Sequence, residues 1–142
     1  LEAALESHLA QFISRYNISA KWEKPDRPFP RLGPSVEMTM LRIAQEALIN
    51  IARHAKATQV NLSLRQGANT VSLTIQDNGI GIESWQDANR PGSHGLTIMR
   101  ERAEAFDGNL KVKSVPGQGT IVEVTIPLTR DAQNEAQEQR DL

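Results

Sequence analysis

Val71, Leu73 and Ile75 alternate with polar residues, and Asp77 continues their parity just before Asn78-Gly79-Ile80-Gly81 interrupts the pattern. Successive side chains on a strand point to opposite faces, so the period of two aims the Asp77 carboxylate at the buried side. A carboxylate entering a core is costly unless donors meet it. The glycines that follow let the backbone turn sharply and let another group approach closely. The chain must therefore build a sheet with one covered face that runs out at a polar mouth. Taken alone, the segment also reads as an Asp-Asn-Gly turn whose carboxylate caps its own backbone.

The rest of the pattern supplies that sheet and its cover. Val60, Leu62 and Leu64 alternate in the same way, and Gly67-Ala68-Asn69 turns the chain between the two strands. Two more strands, at 109–115 and 120–127, flank a Pro116-Gly117-Gln118-Gly119 turn, and residues 18–24 form a short one. Leu1, Leu5, Leu9, Phe12 and Tyr16 recur at helical spacing, which predicts an amphipathic helix over 1–15. Pro25, Pro28, Pro30 and Pro34 punctuate a loop. Ser35 is the expected N-cap of a long helix ending near His54. A further helix carries Leu96, Met99, Ala103 and Phe106. The expected architecture is a two-layer α/β sandwich, a mixed and mostly antiparallel sheet with about three helices on one face.

Composition narrows the class. The chain has 142 residues, 39% hydrophobic and 23% charged, which suits one compact domain over 1–128. Residues 129–142 are mostly Gln, Glu, Asp and Arg and read as a solvated tail. With no cysteine, a thiol nucleophile and a thiolate zinc site are excluded. Sixteen basic residues against 17 acidic ones, without long runs, are not the footprint of a nucleic-acid binder. No apolar stretch approaches the roughly 18 residues of a membrane span, so direct membrane contact is not expected. The chain opens on Leu1 and reads as a piece of a longer protein, lying on the cytoplasmic side if that parent is membrane-anchored.

Three other segments carry candidate chemistry. Stepping about 100° per residue from Glu46 places Asn50 near about 40°, His54 near about 80° and Arg53 near about −20°, one face of the long helix. Leu41, Ala44, Leu48, Ile51 and Ala55 fall on the opposite side. Any solvated helix shows such a polar stripe. Thr120 shares the parity of Val122, Val124 and Ile126, so its hydroxyl points inward at a strand end, as Asp77 does. A strand favours threonine for other reasons too. Gly92-Ser93-His94-Gly95-Leu96 ends a loop of about 18 residues, long enough to be functional or mobile. It opens a helix whose free N–H groups and positive dipole end suit phosphates. No Gly-Lys-Ser/Thr follows, so it is not a Walker A loop.

Four motifs occur in order: Glu46-x-x-x-Asn50-x-x-Arg53-His54-Ala55, Asp77-Asn78-Gly79-Ile80-Gly81, His94-Gly95-Leu96-x-x-Met99-Arg100-Glu101-Arg102-Ala103 and Gly117-x-Gly119-Thr120. Together they resemble the ATPase domain shared by gyrase B, a heat-shock chaperone, histidine kinases and MutL, the Bergerat ATP-binding fold. Within that set the likeness is to sensor histidine kinases of the nitrate/nitrite-sensor type. The Met-Arg-Glu-Arg-Ala segment and the Arg53-His54-Ala55 ending are the sharpest pointers, and the likeness covers residues 1–128.

The resemblance implies roles. Asp77 would accept from the adenine amine, assisted by Thr120, with Gly79, Gly81 and Ile82 lining the base. Asn50 would ligate Mg²⁺, Glu46 would hold or polarise a metal-bound water, and Arg53 and His54 would approach the phosphates. Residues 83–94 would form a lid, with Gly95 and Leu96 offering backbone N–H groups. His94 would be a lid residue or a phosphate contact. Many relatives carry glycine where this chain has Ser93, and the flanking Gly92 supplies the flexibility here. The γ-phosphoryl of ATP would go to a histidine on a separate dimerisation domain of the same kinase, and then indirectly to a response regulator. His8 lacks the acidic neighbour of such an acceptor and reads as a helix-surface histidine. The fragment would be monomeric, binding ATP with little turnover. The alternatives are a serine kinase of the anti-sigma-factor type, a gyrase- or MutL-like ATPase with Glu46 as base, and a degenerate docking module.

Overall fold

The computed structural model describes residues 1–25, 32–81 and 94–128. The expected tail at 129–142 and most of the expected lid lie outside them. In chain order the elements are α1 (Glu2–Tyr16), β1 (Ser19–Glu23), α2 (Pro34–Asn50) continued by a π-helical segment (Ile51–Ala55), β2 (Gln59–Gln66), β3 (Thr70–Asp77), α3 (His94–Glu104), β4 (Asn109–Val115) and β5 (Gly119–Pro127).

The strands form one five-stranded sheet in the order β1-β2-β3-β5-β4. β1 pairs with β2 in parallel, and every other pairing is antiparallel. Register lines up the apolar side chains in rows across the sheet. Leu62, Ile75 and Val122 form one row, and Leu64, Leu73 and Val124 the next. Leu110 and Val112 of β4 extend these rows from the far edge. Cross-strand apolar pairs of this kind are what hold a sheet in register.

All three helices cover the same face. Leu5, Leu9 and Phe12 from α1, Val36, Met40, Ile43 and Ala47 from α2, and Leu96, Met99 and Ala103 from α3 join the strand rows in one core. The opposite face of the sheet carries Asn61, Ser63, Arg65, Thr74, Gln76, Lys111, Lys113 and Glu123 around an open polar groove. The alternation thus gives one packed and one wet face, as expected of a largely antiparallel sheet.

Two expectations need correction. The N-cap of α2 is Gly33, not Ser35, and Pro34 occupies the first turn. Proline suits that position because its missing N–H has no partner there anyway, and Gly33 accommodates the entry at φ 104°. Ser35 lies inside the helix and is exposed. The long helix also does not stay α-helical to His54. It widens into a π-helical segment at Ile51 and stops at Lys56, which takes the left-handed conformation. Bonds from i to i+5 wind more slowly, so the α-helical stepping that aligned Arg53 and His54 with Glu46 does not carry past Asn50.

Leu73 sits at the centre of the apolar rows and is completely buried. Leu73→Ala is expected to lower unfolding stability by about 2–5 kcal/mol through lost contacts and a residual cavity. Urea denaturation checks this, and the slope of free energy against urea should be unchanged if only packing is lost.

Candidate functional site

At the end of β3 the Asp77 side chain is 5% exposed. Its Oδ1 accepts from the Gly79 backbone N–H at 2.8 Å, and the Thr120 backbone N–H also acts on the carboxylate. Both readings of the turn therefore hold at once: the carboxylate caps its own backbone and it lies buried. Burial pushes the Asp77 carboxyl above its ordinary value of 3.8, and the two backbone donors pull against that shift.

The strand-end loop is clamped from both sides. Asn78 Oδ1 accepts from the backbone N–H groups of Thr58 and Gln59 at 2.9 and 3.0 Å, while its Nδ2 donates to Thr58 Oγ1 at 2.8 Å. Ile80 N–H donates to the Ala55 carbonyl at 2.7 Å, and Gly117 N–H donates to the Ile80 carbonyl at 2.7 Å. A Cβ on Gly79 would stand 2.0 Å from the Ala55 carbonyl oxygen, so glycine is required there by the protein's own packing. Gly81 is in a positive-φ conformation, at 79°. Three separate segments thus meet at the mouth of the sheet: the end of the π-helical segment, the loop after β3, and the β4–β5 turn.

Thr120 faces inward, as its parity predicts, and is 8% exposed. Its hydroxyl pairs with Ser114 Oγ at 3.1 Å. Ser114 was not among the residues singled out from the sequence. The signal was present: Ser114 shares the inward parity of Leu110 and Val112, but its meeting with Thr120 depends on the β4–β5 register. Asn78 was missed as a clamp because its partners are about 20 positions away and no local pattern names them.

On α2, Glu46 and Asn50 are both half-buried. The buried stripe of the helix includes Ile43 and Ala47, which brings it up against these two residues. They therefore sit at the border of core and solvent instead of opposite the core. Arg53 and His54 are exposed on the π-helical segment, two and one residues before the Ala55 carbonyl that binds the loop. α3 begins at His94, so the N–H groups of His94, Gly95 and Leu96 fall in its first turn, where they have no intrahelical acceptor. The Leu96 side chain is buried, leaving its backbone as the part available to a ligand. Ile82 and residues 83–93 lie outside the described residues. His8 does not stand alone on the surface: it is half-buried and receives a hydrogen bond from Gln45 at 2.9 Å, tying α1 to α2.

A mixed sheet covered on one face by helices, with an inward carboxylate at a strand-end glycine loop, defines a two-layer α/β sandwich with a polar mouth at one end of its sheet. The family described as histidine kinase-, DNA gyrase B- and HSP90-like ATPase matches residues 35–130, and the chain belongs to it. The nitrate/nitrite sensor protein NarX of Escherichia coli (strain K12) is 37% identical over 126 residues, covering 88% of this chain and 20% of NarX. The sensor histidine kinase LiaS of Bacillus subtilis (strain 168) is 34% identical over 135 residues, covering 95% of this chain and 36% of LiaS. The chain thus spans between a fifth and somewhat over a third of these relatives. Among solved structures, the histidine kinase domain of a blue-light activated kinase from Erythrobacter litoralis EL346 superimposes with a TM-score of 0.72 at 23% identity, covering 93% of this chain and 63% of that one. The histidine kinase AdeS of Acinetobacter baumannii gives 0.71 at 15% identity, covering 89% and 62%. These two show the same fold. No helix among the described residues is long and apolar enough to cross a membrane.

The raised Asp77 pKa has a consequence for stability. Between the ordinary and the raised value the folded state holds a proton that the unfolded state has lost, so stability falls as pH rises through that window. Above it, the folded state carries the full cost of a buried charge. Asp77→Asn keeps the shape and one acceptor oxygen while removing the charge. The variant is expected to melt at or above the wild-type temperature at pH 7, with the difference shrinking as the pH drops below the window. Thermal melts across acid and neutral pH check this. A neutral-pH melting point well below wild type would show that the carboxylate's hydrogen bonds outweigh its desolvation.

Proposed function

We propose that this chain binds Mg-ATP and, within a full-length sensor kinase, supplies the γ-phosphoryl to a histidine on a separate dimerisation domain. The observation that carries the reading is the buried Asp77 carboxylate, held at the sheet mouth by backbone donors beside the Gly79–Gly81 loop. An acceptor fixed in a low-dielectric mouth discriminates for an N–H-bearing edge, here the exocyclic amine of adenine. Gly79, Gly81 and Ile82 line the base in this reading, and Thr120 adds a second contact through its hydroxyl, direct or through water. Family membership implies ATP as the nucleotide.

Asn50 and Glu46 stand one helical turn apart and are half-buried, the amide and carboxylate oxygens suited to a hard cation. No group of three or more His, Asp or Glu among the described residues forms a dedicated metal cage. That donor set fits Mg²⁺, which keeps several waters and takes its remaining ligands from phosphates. Asn50 would hold it directly and Glu46 through water, and the ion would neutralise phosphate charge in transfer. Arg53 and His54 approach the phosphates from the exposed π-helical segment. Gly95 and Leu96 present backbone N–H groups at the start of α3, with His94 in the lid or at the phosphates.

The acceptor histidine belongs to the dimerisation domain, and the response regulator is reached through it. The chain works on the cytoplasmic side of its parent and is monomeric by itself. Its sequence similarity to sensor kinases such as NarX and LiaS favours histidine transfer over serine transfer or water-directed ATPase activity.

Titration calorimetry of Mg-ATP into wild type and Asp77→Asn, with GTP as control, tests the pocket. Saturable ATP binding that GTP does not match is expected, weakened about ten- to a hundredfold or more by the substitution, the range for hydrogen bonds to a charged group. A folded wild-type chain that takes up no nucleotide would overturn the reading in favour of a degenerate docking module.

A further inference from the structure

Two attachments join the loop after β3 to the chain that leaves the π-helical segment. One is the bond from the Ile80 N–H to the Ala55 carbonyl, with Gly79 packed against the same group. The other is Asn78, whose Oδ1 accepts from the Thr58 and Gln59 backbone N–H groups and whose Nδ2 donates to Thr58 Oγ1. Its own N–H adds a longer bond to the Gln59 carbonyl, at 3.3 Å. Backbone N–H groups can only donate, so the amide oxygen must face them and the side chain has one orientation. Asn78 is exposed, yet its amide makes three of the four hydrogen bonds open to it.

The stretch between the two attachments is short and conformationally costly. Ala55 ends the π-helical segment, Lys56 is left-handed at φ 50°, Ala57 is buried, and Thr58 follows. A residue other than glycine keeps a left-handed conformation only where its surroundings hold it there. Ala55 and Thr58 are each held by one attachment, and Lys56 lies between them. A single attachment fixes a distance, whereas two fix an orientation. Together they set the helix end that bears Arg53 and His54 against Asp77, the residue next to Asn78. Without the Asn78 amide, that helix end pivots on Ala55.

We propose that Asn78 is a positioning residue that couples the two ends of the nucleotide site: by tying the Asp77 loop to Thr58 and Gln59, it holds Arg53 where the phosphates of a base-bound nucleotide arrive. This rests on the reading of Asp77 as the base acceptor and Arg53 as a phosphate contact given above. A residue that shaped only the base end would act independently of Arg53. A coupling residue acts through it, and the two substitutions are then not additive.

The test is calorimetric titration of Mg-ATP into wild type, Asn78→Ala, Arg53→Ala and the Asn78→Ala/Arg53→Ala double variant. Melting curves and circular dichroism establish that each is folded at the titration temperature. Asn78→Ala is expected to weaken ATP binding about five- to twentyfold, the scale of one net hydrogen bond or slightly more. In the Arg53→Ala background the same substitution is expected to cost at least about threefold less, because the contact it positions is gone. Thr58→Ala removes only the Nδ2 bond and serves in its place if Asn78→Ala does not fold. Its expected loss is about two- to threefold, again absent when Arg53 is alanine. Equal losses in both backgrounds, or no loss in a folded Asn78→Ala chain, overturn the proposal and leave the ATP reading standing. Wild type that takes up no ATP overturns both.

Discussion

A carboxylate stays buried at the end of β3 because backbone N–H groups on either side of it are fixed in place, one from Gly79 in its own loop and one from Thr120 on the neighbouring strand. Neither donor would be there without the rest of the clamp. Gly79 is positioned because it lies against the Ala55 carbonyl with no room for a side chain, and because Asn78 is hydrogen-bonded to the start of β2. Thr120 is positioned because β5 pairs with both β3 and β4. The polar mouth is thus the place where the core's rows of apolar side chains end and the fold's constraints converge.

The connection from Ala55 to Ile80 and from Ile80 to Gly117 joins segments that carry different parts of the proposed nucleotide site. The Ala55 carbonyl ends the π-helical segment that bears Arg53 and His54 and follows directly from Asn50. Widening at that point frees the end of the helix to meet the loop, at the cost of the regular α-helical ladder. π-helical turns inside α-helices are uncommon and recur at functional sites. Here the turn brings the residues proposed for the phosphates and those proposed for the base into one hydrogen-bonded frame. Stabilising the loop and shaping the site are consequently the same task.

Much of the fold was legible because it rests on short-range periodicity. The alternation in 60–64, 71–77 and 120–126 named the inward residues, including Asp77 and Thr120, and all of them are buried. Helical spacing found α1, α2 and α3 to within a few residues. Where the pattern misled, a local detail was responsible. Gly33 and Pro34 displaced Ser35 as the start of α2, because proline's fixed φ and missing N–H favour the first turn over an inner one. The angular stepping beyond Asn50 failed because the helix changes pitch there, which composition does not announce.

By itself, the sequence determined which side chains face the core, where the strands turn, and that an acid and a hydroxyl end up at strand mouths. These follow from the backbone's periods of two and 3.6, which act over a few residues. Only the tertiary structure decided that Asp77 takes an N–H from Thr120, that Ser114 meets the Thr120 hydroxyl, and that Ala55 closes against Gly79. Those contacts join residues from six to more than forty positions apart. They depend on strand register and on how helix ends dock against loops, and local preference carries no information about either.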